Sequence, residues 1–209
     1  MGKKSRLKRE RRTSAQPKEV QRNEVISKPA IKDPETNTII AVAKSFIKVC
    51  APNSGACYRC AFFLRLFLKE KYGYEGQAVV GFVNDGTGDL YPSHGWYEFK
   101  GQTTDLAISQ PLRPDVQPAG PLTIQGICFS PGHEYSYHRE RPISALLALR
   151  EMISDPELGP MMQQNEEQHM MLQARSKSDS LIRAFLDQAP DGWTYQRIAA
   201  AVSQGLGKS

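Results

Sequence analysis

The segment that decides the fold is CYRCAFFLRLFLKEKY, residues 57–72, which follows a loop sequence at residues 51–55 and is ended by Gly73. Apolar residues repeat along it at helical spacing, and additional phenylalanines and leucines widen the apolar face. Proline and glycine in the loop mark the start, and glycine is typical just beyond a helix C-terminus. The pattern therefore predicts a central helix from about Cys57 to Tyr72.

The sequence on either side predicts an α+β fold around this helix. Asp33-Pro34-Glu35 has the chemistry of a helix start, and helical spacing continues to about Cys50. Beyond Gly73 the pattern changes to strands, which are predicted at residues 77–84, 93–99, 102–108 and 121–129. An ordered Pro-rich surface loop is expected at residues 111–121. Helical patterns then return at residues 143–154, 156–174, 178–188 and 194–203.

We therefore expect helices packed around a small antiparallel sheet. Residues 34–130 form the predicted core, residues 142–205 form a C-terminal helical extension, and both belong to one domain over residues 33–209.

Positive charge is concentrated at the N-terminus. The net charge is +5, yet residues 1–12 alone hold seven basic side chains against one glutamate. Such a run repels itself and buries no apolar surface, which predicts a disordered basic arm over residues 1–32. Two interpretations stay open. The arm either contacts phosphates of nucleic acid or a ribosome surface through residues 3–12, or it is only solvated.

Composition excludes collagen-like, disulfide-scaffold and fully disordered classes. No apolar run approaches the eighteen or so residues of a membrane-spanning helix, and the basic start does not have the pattern of a secretory signal peptide. Four cysteines in 209 residues are too sparse for a disulfide framework. We expect a cytoplasmic protein with reduced thiols and no membrane contact.

Cys57 is the first candidate for chemistry, because it stands where the loop becomes the central helix. Free backbone N–H groups and the positive end of the helix dipole stabilise a thiolate at that position. The same N–H groups can hold the negative oxygen that develops when sulfur attacks a carbonyl. A catalytic nucleophile also needs a base and a group that orients the base.

His94 and Asp105 are the predicted partners of Cys57. His94 lies in the strand-like stretch 93–99, and Lys100-Gly101 indicates a two-residue hairpin turn. That turn would pair Trp96 with Asp105, which places Asp105 on the same face as His94 and one diagonal step away. A turn one residue longer would send Asp105 to the opposite face.

These residues resemble the transglutaminase-like superfamily, which belongs to the broader papain-like cysteine fold. The similarity covers residues 34–110 and consists of Gly-x-Cys at the start of a buried helix, His-Gly-Trp on one strand and Asp on the next. It implies that Cys57 is the nucleophile, that His94 is the general base and acid, and that Asp105 orients His94. It requires no metal or organic cofactor.

Two further residues complete the predicted site. Papain-like enzymes commonly place a glutamine upstream of the cysteine for the oxyanion hole, and here that region offers only Asn53. Trp96 is expected to be a core residue or a wall of the active site. The sequence also lacks a tryptophan shortly before Asp105 and a proline after it, both frequent in the family.

The other cysteines and histidines have simpler interpretations. Cys50, Cys60 and Cys128 are assigned to packing, and His169 is expected to be exposed. His133 and His138 either border a substrate cleft or lie on a solvated loop. The Cys57-x-x-Cys60 motif also permits a redox pair or a zinc site, although no strand precedes it and no second cysteine pair accompanies it.

The sequence thus predicts a cysteine-dependent acyl-transfer enzyme, a peptide or amide hydrolase or an amine acyltransferase, that forms a thioester on Cys57. Its substrate would be a peptide, a protein or a small amide. The alternative is a non-catalytic scaffold that associates with nucleic acid or ribosomes through the basic arm.

Overall fold

The computed structural model of the protein describes residues 33–50, 56–189 and 192–207. The predicted arm at residues 1–32 and the candidate oxyanion residue Asn53 lie outside this part of the chain. The described residues form six α-helices and six β-strands, so the mixed α+β class is confirmed.

Two helices begin the described chain. Helix α1, Pro34–Val49, is capped by Asp33, whose side chain accepts hydrogen bonds from the N–H groups of Glu35 and Thr36. Helix α2, Cys57–Tyr72, ends at Gly73, which has φ +72° and the left-handed conformation that glycine adopts without strain. More than half of the α2 residues are buried, which confirms its central position.

An antiparallel sheet packs against α2. Its strands are β1 (Gln77–Asn84), β2 (Ser93–Phe99), β3 (Gln102–Thr104) and β6 (Ser136–His138), in the order β3-β2-β1-β6. Lys100 and Gly101 have positive φ and form the two-residue turn between β2 and β3, so Phe99 pairs with Gln102 as predicted. Strand β6 is not among the predicted strands, and it pairs with the β1 edge.

A separate hairpin replaces the single strand predicted at residues 121–129. Strands β4 (Leu122–Ile124) and β5 (Ile127–Ser130) are joined by Gln125 and Gly126, both with positive φ. Glutamine rarely occupies this conformation, which is why the turn was missed. The strand predicted at residues 102–108 also ends early, because the Asp105 side chain accepts the N–H groups of Ala107 and Ile108 and turns the backbone.

The C-terminal part is helical, as expected. Its helices are α3 (Ile143–Ser154), α4 (Gly159–Arg175), α5 (Asp179–Asp187) and α6 (Tyr195–Leu206). Helix α4 begins three residues later than predicted, because Asp155 accepts the N–H groups of Glu157 and Leu158 in a turn. Within the described ranges, no helix has both the length and the apolar character needed to cross a membrane.

Candidate active site

Cys57 is the first residue of α2, and its side chain is buried with 4% of the residue exposed. The preceding N-cap residue is Ala56, which offers no side-chain cap for the first N–H groups of the helix. Helix α2 approaches strand β2 closely here. A Cβ atom added to Gly95 would lie 2.8 Å from the Tyr58 ring and 3.2 Å from the Tyr58 Cα atom. Gly95 therefore permits Cys57 to lie against the strand that carries His94.

His94 connects Cys57 to Asp105. Its Nε2 atom lies 2.7 Å from Asp105 Oδ2, so the predicted contact between these two side chains is present. The Cys57 thiol lies near the same imidazole, and the interaction between them contributes to raising the pKa of His94. The three predicted residues Cys57, His94 and Asp105 are thus brought together in one buried series, in which His94 lies between the thiol and the carboxylate.

The Asp105 carboxylate has a complete set of partners. Oδ1 accepts the backbone N–H groups of Ala107 at 3.0 Å and Ile108 at 3.2 Å. Oδ2 accepts both His94 and the hydroxyl of Tyr137, which lies 2.9 Å away on β6. Four donors hold a carboxylate that is only 1% exposed, so its position is fixed independently of His94.

The charges of this pair follow from their contacts. Burial acts to lower the pKa of His94, but the charge of Asp105 and the hydrogen bonds with Asp105 and Cys57 outweigh it and raise this pKa to about 10. Burial acts to raise the pKa of Asp105, and His94 with the other donors lowers it below its usual range. Near neutral pH the site therefore holds an imidazolium and a carboxylate.

Trp96 lies beside the imidazole, as expected for a core or wall residue. Its ring is buried and nearly parallel to that of His94, with centroids 6.5 Å apart. The indole N–H donates to Glu98 Oε1 at 2.7 Å, which fixes the ring. Tyr137 packs edge-on against Trp96 at 5.2 Å. Sequence reasoning missed Tyr137, because nothing in its local sequence indicates that β6 borders the site.

A second hydrogen-bonded series lies next to the first. Tyr58 donates its hydroxyl to Ser93 Oγ at 2.6 Å, and Ser93 Oγ lies 2.5 Å from His169 Nδ1. His169 is only 6% exposed and stacks on Phe82 with ring centroids 4.3 Å apart. The prediction that His169 is exposed is therefore wrong, because its polar neighbours along α4 hide a contact with the sheet.

The remaining candidates lie apart from Cys57 and His94 or serve packing. Cys60 is buried in the core and Cys50 is half-buried, whereas Cys128 is exposed, so its assignment to packing is wrong. His133 donates from Nε2 to the Asp85 carbonyl at 2.7 Å, and His138 lies within β6 rather than on a loop. Across the described part of the chain, no cluster of three or more His, Cys, Asp or Glu side chains could hold a metal ion.

A cavity of about 610 Å³ is present in the described part of the chain, and none of Cys57, His94 and Asp105 lines it. It lies between the loop at residues 85–92, the start of β2, and the helices α3 and α4. Tyr58 and Ser93 line it, and these residues are direct chain neighbours of Cys57 and His94 respectively. This cavity was not predicted, because it depends on how the α3–α4 pair packs over the sheet.

Neither a protein-family profile nor a curated protein nor a solved structure matches the chain.

Proposed function

We propose that the protein is a cysteine-dependent acyl-transfer enzyme with a transglutaminase-like core of the papain type. The observation that carries the proposal is the buried series Cys57–His94–Asp105, in which one imidazole contacts a thiol at a helix N-terminus and a fully hydrogen-bonded carboxylate. A cationic His94 favours a thiolate partner electrostatically.

In the proposed reaction, Cys57 Sγ attacks the carbonyl carbon of an amide or ester. The first N–H groups of α2, which have no side-chain cap, stabilise the developing oxyanion. His94 gives its proton to the departing amine or alcohol as the carbon–nitrogen or carbon–oxygen bond breaks, leaving a thioester on Cys57. The neutral His94 then takes a proton from water or from an acceptor amine, which attacks the thioester and releases the acyl group. We place this activity in the cytoplasm, on peptides, proteins or small amides.

Intact-mass measurement after treatment with an activated acyl ester, p-nitrophenyl acetate, tests the proposal. We expect one acetyl group on the wild-type protein, located on Cys57 by peptide mapping, and none at that position in Cys57→Ala. The control is Cys60→Ala, which removes a buried thiol one helical turn further along α2 and leaves the series intact. Acetylation confined to the exposed thiol of Cys128 would contradict the proposal.

A non-catalytic scaffold is the second candidate, and the burial of Cys57 favours it because a sealed thiol does not meet substrates. In that case the fold would serve as a platform and residues 3–12 would bind nucleic acid or ribosomes. Retention on immobilised RNA at several salt concentrations, compared between the full chain and a chain that begins at residue 29, tests this. Equal retention by the two chains would exclude binding through the arm.

A further inference from the structure

The cavity of about 610 Å³ has two carboxylates on one side, contributed by the loop at residues 85–92. Asp85 and Asp89 line it, and neither forms an ion pair with a basic side chain of the described residues. The hydroxyl and backbone N–H of Thr87 donate to Asp85 and lower the pKa of its carboxyl, so this group is ionised near neutral pH. Asp89 is exposed to solvent. Two negative charges therefore border the cavity on this side.

The positive charge of Arg141 does not compensate these carboxylates. Arg141 is the only lysine or arginine among the described residues that line the cavity, and Glu166 binds its guanidinium as a bidentate partner, with Nη2–Oε1 at 2.6 Å. The guanidinium also lies over the Phe82 ring at 4.1 Å. Because the Arg141–Glu166 pair has no net charge, Asp85 and Asp89 leave the cavity with a net charge of −2. The cavity therefore favours a cation over an anion.

The buried end of the cavity holds a polar atom without a partner. His169 lines the cavity and is only 6% exposed, and its Nδ1 atom lies 2.5 Å from Ser93 Oγ. The other ring nitrogen, Nε2, has no hydrogen-bond partner among the described residues. Burial lowers the pKa of His169, which keeps the ring neutral near pH 7. Since buried polar atoms are normally hydrogen-bonded, Nε2 marks a place where a ligand presents an uncharged polar group.

Between the carboxylates and His169 the lining of the cavity is mixed. Helix α3 contributes the apolar side chains of Ala145, Leu149 and Met152, whereas helix α4 contributes the amides of Asn165 and Gln168 together with apolar residues. A short methylene chain is stabilised against the α3 side. A purely hydrocarbon ligand would leave the amides of α4 without hydrogen bonds, which costs free energy. The lining therefore suits a molecule that has both polar groups and a short apolar part.

From these features we infer that the cavity binds an aliphatic amine that carries an uncharged hydrogen-bonding group, a hydroxyl or an amide, at its other end. The ammonium group lies beside Asp85 and Asp89, the methylenes lie against α3, and the uncharged group hydrogen-bonds with His169 Nε2. The volume of about 610 Å³ lies within the range of small-molecule sites, about 300–1,000 Å³. The three residues of the proposed reaction do not line the cavity, so this binding site is independent of the proposed function.

Three sets of compounds measure the preference for a cation. Terminal amino alcohols, diols and hydroxycarboxylates with chains of four, six and eight carbons are titrated into the full chain at low salt and followed by ¹H–¹⁵N chemical shifts. We expect the best amino alcohol to bind about fivefold more tightly than the diol of the same length, the effect of two exposed ion pairs, and this preference should decrease as salt is added. The hydroxycarboxylates should bind most weakly. Equal affinity for amino alcohol and diol at every length, or tighter binding of the carboxylates, would overturn the inference.

Substitutions of the carboxylates locate the ammonium group. Combining Asp85→Asn with Asp89→Asn keeps the side-chain shapes and removes both charges, so the affinities for amino alcohol and diol should become equal. Asp33→Asn is the matched control, because Asp33 is exposed, caps helix α1 and does not line the cavity, and asparagine caps a helix about as well as aspartate. This control should retain the preference. A preference for the amino alcohol that survives in the double variant would show that the amine binds elsewhere and would overturn the inference.

The contribution of His169 is measured by comparing the amino alcohol with the alkylamine of the same length. The hydroxyl should tighten binding about threefold in the wild-type protein, the effect of one hydrogen bond, and should give no gain in His169→Phe, which keeps a ring against Phe82 and removes both nitrogens. The ¹⁵N shift of His169 Nε2 is a second measurement that needs no variant, and it should change with the amino alcohol but not with the alkylamine. An unchanged shift with both compounds would overturn the assignment of Nε2 to the ligand.

Discussion

His94 lies in β2 and His169 lies in α4, where it is hydrogen-bonded to Ser93, the first residue of β2. Both histidines are buried, yet their surroundings shift their pKa values in opposite directions. His94 contacts a carboxylate, whose charge outweighs the effect of burial and raises its pKa to about 10. His169 contacts a hydroxyl and an aromatic ring, so burial prevails and its pKa is lowered.

The difference shows that burial alone does not decide the charge of an imidazole. The deciding feature is the carboxylate of Asp105, which four donors hold in place beside one ring, whereas the acidic Glu166 near the other ring is already paired with Arg141. The pKa of the ring beside Asp105 is therefore raised, whereas the pKa of the His169 ring is lowered.

The largest effect is expected from Asp105→Asn, which keeps the side-chain shape and removes the charge. The pKa of His94 should fall from its raised value, because burial then acts without an opposing carboxylate, and the ring should be neutral at pH 7. Acylation of Cys57 by p-nitrophenyl acetate should slow by about a thousandfold. Imidazole ¹H–¹⁵N spectra report the charge of the ring, and intact-mass kinetics report the acylation.

The same substitution at Asp115 is the control for Asp105→Asn. Asp115 is exposed and paired with Arg113, so its change should leave both measurements as in the wild type. An Asp105→Asn protein whose His94 ring remains cationic at pH 7 would show that Asp105 is not the cause of the raised pKa.

An intermediate effect is expected in the pH dependence of stability, where the two histidines act in opposite directions. Protonation of His94 stabilises the fold fully below pH 6.5, and this contribution is lost as the pH rises toward 10. The contribution of neutral His169 is complete above pH 6.5 and is lost as the pH falls through its lowered pKa. In Cys57→Ala the Asp105 carboxylate alone raises the His94 pKa, so the free energy of unfolding should fall by up to about 1–2 kcal/mol between pH 6.5 and pH 8.

Adding His169→Gln to Cys57→Ala isolates the change in the free energy of unfolding below pH 6.5. Glutamine can still accept the Ser93 hydroxyl but takes up no proton, so the loss of stability between pH 6.5 and pH 5 should become smaller while the change above pH 6.5 stays the same. Urea denaturation at each pH measures both slopes. Identical profiles with and without His169 would contradict the assignment of a neutral buried ring.

The smallest effect is expected from Tyr137→Phe, which removes one of the four donors of Asp105. We expect a loss of about 1 kcal/mol in the free energy of unfolding and a severalfold decrease in the acylation rate, because the remaining three donors still hold the carboxylate. Tyr195→Phe also removes a hydrogen bond to a carboxylate, that of Glu70, and should affect stability alone. Equal acylation rates in the two variants would remove Tyr137 from the site.

Local patterns predicted those parts of the site that depend on short stretches of chain. The helix start at Cys57 follows from apolar spacing and a Pro- and Gly-containing loop, and the pairing of Phe99 with Gln102 follows from the Lys100-Gly101 turn. That register also predicted the contact between His94 and Asp105, which is present. The predicted pairing of Trp96 with Asp105 is not present, because the β2–β3 pairing ends at Tyr97 and Thr104, and Asp105 pairs with Thr123 instead. The catalytic roles of these residues remain predictions.

Other parts depend on contacts between distant segments, which a single sequence does not display. Tyr137 reaches Asp105 only because β6 pairs with β1, and His169 is buried only because α4 packs over Phe82. The turn at Gln125-Gly126 was missed for a local reason, since glutamine is an unusual residue for positive φ. The cavity combines a loop, a strand end and two helices, and no segment of sequence encodes it alone.

Gly95 has a consequence for how the two halves of the site are joined. Strand β2 carries His94, and helix α2 carries Cys57. The two elements lie close together because Gly95 has only a hydrogen atom where any other residue would have a Cβ atom. A methyl group at residue 95 would push α2 away from β2. It would increase the distance between the His94 imidazole and the Cys57 sulfur, while both elements remained folded. The distance from the His94 ring to the Cys57 sulfur therefore depends on the absence of a side chain at residue 95.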